Sequence, residues 1–136
     1  MTPGKTAVGA PVVLDSSCWL EYFSNAPRAN LYAAAIENTA ALVVPIITIY
    51  EVYKVAMREF GTAHANQAVA LMREGEVIEV NLNIALGAAA SGLPMADSLI
   101  YATAQMRGAT LWTQDAHFEA LPGVKFFAKD AAGKPL

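Results

Sequence analysis

"LPMADSLIYATAQMRGATLWTQDAHF", residues 93–118, reads as a helix followed by a strand, with a carboxylate near the same end of each. Pro94 suits the first turn of a helix. Met95, Leu99, Ala102 and Met106 then recur at helical spacing. "ATLWT" (109–113) is a short apolar run with strand-forming residues, and it leads straight into Asp115. Asp97 lies in the first turn of the helix. Asp115 lies at the tip of the strand.

Working outward, the same alternation runs through the chain. "APVVLD" (10–15) predicts a buried strand ending in Asp15, and "SSCWLEYFSN" a helix that Asp15, Ser16 or Ser17 can cap. "RANLYAAAIENT" predicts a second, Ala-rich helix, and "ALVVP" a second strand stopped by Pro45. From Ile47 to Phe60 the pattern turns helical, with Ile49, Val52, Tyr53, Ala56 and Phe60 on the apolar stripe and Glu51, Lys54 and Arg58 on the polar one. "AHANQAVALMREG" follows as a helix closed by Gly75, "EVIEV" as a third strand and "LNIALGAAASG" as a short helix of small residues. "VKFFA" completes a set of four or five strands. Strands alternating with helices predict an α/β fold, a parallel sheet covered on both faces. One domain is expected over residues 10–130, with mobile tails at 1–9 and 131–136.

Composition narrows the function. The chain has 136 residues and a net charge of −3. That balance, with no dense basic stretch, argues against strong non-specific binding to nucleic acid. No apolar run approaches the length of a bilayer span, and the N-terminus lacks a signal-peptide core, so a soluble cytoplasmic protein without membrane association is expected. The single cysteine, Cys18, excludes an internal disulfide and a Cys-rich zinc site. It sits among residues expected to pack, as an inert thiol. Nothing pairs it with His64 or His117.

In a parallel α/β sheet, ligands bind beyond the carboxyl ends of the strands. Four acids fall there: Asp15, Glu51, Asp97 and Asp115. Each has a structural reading. Asp15 and Asp115 suit helix caps, and Asp97 complements a helix dipole. Thr48 and Glu51 have capping-box spacing, and Glu51 can also pair with Lys54. If the four instead converge, their mutual repulsion calls for a cation. An all-oxygen site without a Cys or His cluster suits Mg²⁺ or Mn²⁺. Such an ion can activate a water and stabilise the leaving oxygen of a phosphodiester, which is nuclease chemistry.

"VVLDSSCWLEYF" (12–23), "VVPIITIYEV" (43–52) and the 93–118 stretch together resemble the PIN-domain nucleases, most closely the VapC-type toxins of bacterial toxin–antitoxin pairs. The resemblance runs from Val12 to about Phe127. Its last block, an Asp opening an Ala-rich helix and then a strand ending Thr-x-Asp, is the most specific; Asp15 with Ser17, and Thr48-x-x-Glu51, match the other two. The resemblance implies a Rossmann-like sheet and a Mg²⁺- or Mn²⁺-dependent endoribonuclease that cleaves structured RNA, such as tRNA or rRNA loops, and so inhibits translation. Asp15, Glu51, Asp97 and Asp115 would be its catalytic quartet, with Asp15, Asp97 and Asp115 on the metal and Glu51 acting through water. Ser17 and Thr113 match small hydroxyl positions that support such acids. Many relatives carry another acid or Asn after the last Asp, where this chain has "AHF". One ion is therefore implied and a second left open.

His117 is expected to face solvent, with a contact to substrate phosphate as its functional alternative. Lys54 and Arg58, on the stripe of Glu51, are candidates for holding the RNA backbone, against ordinary salt partners. Arg107 is read as offsetting a helix dipole, and Trp112 as a buried strand residue. The resemblance also implies homodimers or toxin–antitoxin hetero-oligomers, with a VapB-type antitoxin as partner. Competing readings are a non-toxin PIN nuclease of RNA processing and an inactive α/β binding module whose acids are caps. A phosphatase of the haloacid-dehalogenase type is disfavoured, because Ser17 stands where its second acid is required.

Overall fold

The computed structural model describes residues 9–129. Apart from Gly9, an exposed bend residue, the expected tails lie outside these residues. Five strands form one parallel sheet: β1 (Val12–Leu14), β2 (Leu42–Pro45), β3 (Glu76–Ile78), β4 (Thr110–Thr113) and β5 (Val124–Phe126). Their order across the sheet is β3-β2-β1-β4-β5. The chain therefore lays β2 and β3 on one side of β1 and then crosses to lay β4 and β5 on the other. The change of direction falls between β1 and β4, the place in an open parallel sheet where a ligand crevice opens.

Side chains alternate along each strand, and the registers align like faces. Val13 pairs with Val43 and Leu111, and these join Ile100, Ala104 and Phe118 in one core layer. Leu14, Leu42 and Val44 point to the opposite face. There they meet α1 (Ser16–Phe23), α2 (Ala29–Glu37), α3 (Ile46–Phe60) and α4 (Thr62–Met72), through Cys18, Trp19, Tyr32, Ile36, Val52, Ala68 and Met72. The first layer is covered by α6 (Met95–Met106), and α5 (Leu82–Ala90) packs on α6. With both faces covered, the strands read as apolar runs rather than as apolar–polar alternation.

Several boundaries differ from expectation. α1 stops at Phe23 instead of Asn25, and Asn25 takes a left-handed φ of 53° in the turn that follows. α4 ends at Met72, so Gly75 does not close it. Gly75 answers a different need: a Cβ there would lie 2.8 Å from the Leu42 carbonyl oxygen, where β3 comes in beside β2. Trp112 is half-buried rather than buried, with the Lys125 ammonium 4.5 Å from its ring centroid. Arg107 does more than end α6, since its guanidinium grips the Glu76 carboxylate with two bonds of 2.5 and 2.7 Å. Among the described residues no single helix is long and apolar enough to cross a membrane. α5 and α6 pass such a test only as a pair, and they meet at a 118° bend.

Candidate active site

Asp15 is the innermost acid. It leaves β1 in an extended conformation and caps α1, accepting from the Ser16 amide at 2.6 Å. Its other oxygen accepts from the hydroxyls of Ser17 (3.1 Å) and Thr113 (2.7 Å). The cap reading is thus correct, but it leaves this carboxylate only 5 % exposed. Burial pushes its pKa up to about 6 against the pull of those three bonds, and the charge of Asp97 adds to the rise. Thr113 also ties the two strand tips together. Its oxygen accepts the Asp115 amide at 2.9 Å while its proton goes to Asp15.

Glu51 departs from its expected local role. α3 begins at Ile46 after Pro45, so Thr48 is inside the first turn and Glu51 is in the second. Thr48 is fully buried and its hydroxyl has no hydrogen-bond partner, so no capping box forms. Nor does Glu51 pair with Lys54, whose ammonium lies instead 5.8 Å from the Tyr50 ring centroid. Glu51 is held by Ser16, whose hydroxyl donates to Oε1 at 2.5 Å. Ser16 therefore spaces two acids, giving its amide to Asp15 and its hydroxyl to Glu51.

Asp97 and Asp115 come together around a histidine. Asp97 sits in the first turn of α6, as its position after Pro94 predicts. Asp115 caps a single 3-10 turn, Ala116–Phe118, accepting from the His117 amide at 2.9 Å. The turn folds His117 back over the acids, with Nδ1 at 3.2 Å from Asp97 and 3.3 Å from Asp115. Its side chain is still 61 % exposed, so the expectation of a solvent-facing histidine captures only half its setting. Burial raises the Asp97 pKa, His117 opposes this, and the neighbouring charge of Asp115 adds to it.

Lys54 and Arg58 are exposed on α3, and Arg58 pairs with its neighbour Glu59. Neither contacts the acids. Cys18 is buried, and desolvation pushes its thiol up to about 12. Two residues matter here that the sequence reading gave no role at the site. Ser16 was only one of three possible caps. Gln114, between Thr113 and Asp115, is buried and lies 3.4 Å from the Arg28 guanidinium. Arg28 in turn holds the carbonyls of Phe127 and Ala128, so the segment after β5 is tied to the loop that carries Asp115. Only the oddity of an arginine in an otherwise apolar, Ala-rich helix start could have signalled it.

The family model described as PIN domain matches residues 12–124. The chain belongs to the PIN-domain family. PIN domains are nucleases, and the four acids of this PIN domain stand on the segments where the sequence blocks put them. No curated protein matches it. Among solved structures it is similar to a toxin–antitoxin complex from Klebsiella pneumoniae, with a TM-score of 0.69 and 24 % identity over 84 % of this chain and 95 % of that one. It is similar also to the DNA-bound VapBC of Salmonella typhimurium (TM-score 0.65, 18 % identity, 87 % and 97 % covered). A third is VapC20 of Mycobacterium tuberculosis, a sarcin–ricin loop cleaving toxin (TM-score 0.64, 16 % identity, 83 % and 96 % covered). At these identities the likeness establishes a shared fold.

The donor set fits a divalent cation. One ligand atom from each of Asp97, Asp115 and His117 lies within 4.8 Å of the others. Among the described residues, no lysine or arginine neutralises any of the four acids. Burial raises the pKa of Asp15 and Asp97, and to each a neighbouring carboxylate, Asp97 and Asp115 respectively, adds a smaller push that a cation would relieve.

Proposed function

We propose that this PIN domain is a divalent-metal-dependent endoribonuclease of the VapC toxin type, which cleaves structured RNA and is neutralised by a VapB-type antitoxin. The observation that carries this reading is the gathering of Asp97 and Asp115 around His117 at the switch between β1 and β4, with Asp15 linked to Asp115 through Thr113 and Glu51 held by Ser16. Asp97, Asp115 and Asp15 would hold a Mg²⁺ or Mn²⁺ ion. The ion would supply an activated water and charge stabilisation at the scissile phosphate.

The protein's own residues do the rest. Thr113 and Ser17 fix the Asp15 carboxylate by donating to one of its oxygens, leaving it no freedom to turn away. Glu51, partly exposed and held by one hydrogen bond, is suited to accept a proton from a water rather than to sit tightly in the metal shell. Lys54 and Arg58, exposed on the same helix as Glu51, are candidates to hold the RNA backbone. Unpaired RNA loops, such as those of tRNA or rRNA, suit a protein of net charge −3 that cannot bind RNA indiscriminately. Inhibition of translation would follow from such cleavage. The toxin–antitoxin solved structures support an antitoxin partner, and a homodimer or toxin–antitoxin hetero-oligomer in the cytoplasm is the expected working form.

The test is thermal unfolding of the wild type and Asp97→Asn, titrated with Mg²⁺ and Mn²⁺, followed by cleavage of a panel of tRNA and rRNA fragments. The wild type should gain stability with metal and cut one fragment at a discrete position. Asp97→Asn should start more stable, gain little and cut nothing. A wild type indifferent to millimolar metal would mean that the acids are only caps, and the protein a binding module.

A further inference from the structure

Among the described residues, His117 is the one nitrogen donor gathered with the acids. Its Nδ1 lies 3.2 Å from Asp97 Oδ2 and 3.3 Å from Asp115 Oδ1. Its position is fixed from both sides. The His117 amide donates to Asp115, and the next residue, Phe118, is fully buried in the core layer beneath α6. The ring is therefore rooted on a rigid 3-10 turn, not on a free loop. We infer that His117 is a direct nitrogen ligand of the divalent ion, making a mixed oxygen–nitrogen centre that prefers Mn²⁺ to Mg²⁺.

The inference rests on the metal-nuclease reading and goes past it, to the identity of the ion. Adjacent ligands of an octahedral ion with bonds of about 2.1 Å stand about 3 Å apart. The two separations from Nδ1, 3.2 and 3.3 Å, are close to that spacing. Mg²⁺ is a hard ion that keeps oxygen ligands and sheds water reluctantly, whereas an imidazole nitrogen favours transition-metal ions. With oxygen from Asp97 and Asp115 and nitrogen from His117, the set suits Mn²⁺, which accepts both. The other histidine, His64, lies on α4 beside Phe60 and away from the acids, so His117 is the chain's imidazole at this centre.

The deciding measurement is pulsed EPR of the untagged full chain loaded with Mn²⁺, which registers directly bound ¹⁴N. Nitrogen coupling should be present in the wild type and in His64→Gln, and absent in His117→Asp. His117 is exposed, so its replacement should not disturb folding; circular dichroism and melting temperature check this. Calorimetric titration should show the preference for Mn²⁺ over Mg²⁺ falling about tenfold in His117→Asp, the low end of what altered partners around a metal cost. If Mn²⁺ binds the wild type without nitrogen coupling, or the coupling survives in His117→Asp, the inference is overturned while the nuclease reading stands. If Mn²⁺ does not bind at all, both fall.

Discussion

The Ser16 hydroxyl donates to the Glu51 carboxylate at 2.5 Å, joining the first turn of α1 to the second turn of α3. Ser16 also gives its amide to Asp15. The separation of two acids that are 36 positions apart in sequence therefore depends on a single small residue. Ser16→Ala keeps the amide and so keeps the cap on α1, but it frees Glu51. A loss of about 1 kcal/mol in denaturant unfolding is expected, with a several-fold fall in Mn²⁺ affinity or RNA cleavage. Ser16→Thr should restore both. Lost stability with unchanged metal affinity and cleavage would detach Glu51 from the proposed centre.

Thr113→Val is close to isosteric but removes the hydroxyl shared by Asp15 and Asp115. The half-buried Asp115 amide loses its acceptor, and the buried Asp15 loses one of its three donors. A destabilisation of about 1–2 kcal/mol is expected from the two lost hydrogen bonds. Thr113→Ser keeps the hydroxyl and should recover most of it. If valine proves as stable as threonine in chemical denaturation, the link between the two strand tips contributes nothing.

Asp15→Asn tests the burial of charge. The folded pKa of Asp15, about 6, lies above the ordinary aspartate value of 3.8. Protonated Asp15 is therefore favoured by the fold: its stabilisation is complete at low pH and is lost as pH rises through about 6. In metal-free protein the difference in unfolding free energy between wild type and Asp15→Asn should accordingly move against the wild type by about 3 kcal/mol between about pH 3 and about pH 8. Comparing the two proteins cancels most of the titration of other groups. A difference that does not change with pH would mean that Asp15 is solvated.

Cys18 should be inert. With its thiol pushed up to about 12 and its side chain in the core, the native protein should react with an aromatic disulfide reagent at about pH 8 only as fast as it unfolds. Rapid labelling without denaturant would contradict the packing around α1.

The parallel sheet was legible because Val12–Leu14, Leu42–Pro45 and Thr110–Thr113 are short apolar runs broken by proline or an acid; helical spacing follows the first two and precedes the third. The acids were legible one at a time, as residues at strand tips and in first turns. Their partners were not. Ser16 looks like any cap residue, and its bond to Glu51 exists only after α3 packs beside α1. The reach of His117 back to Asp97 depends on a 3-10 turn too short to leave a periodic signal. Thr48 misled for a related reason: capping-box spacing is local, but Pro45 had already started the helix. Gly75 was read as a helix stop because the closeness of Leu42 is a fact of sheet assembly, not of local sequence.

The order β3-β2-β1-β4-β5 has a consequence for biosynthesis. The central strand β1 is made before the other four and waits for one of its two neighbours, β4, until β2, β3 and the helices α1 to α6 have been made. A nascent chain interrupted before α6 holds Asp15 and Glu51 but neither Asp97 nor Asp115, and β1 has an open edge where β4 belongs. On the proposed nuclease reading such products lack half of the acidic site, and their bare strand edge marks them for aggregation or proteolysis. The proposed site closes only when β4 docks against β1.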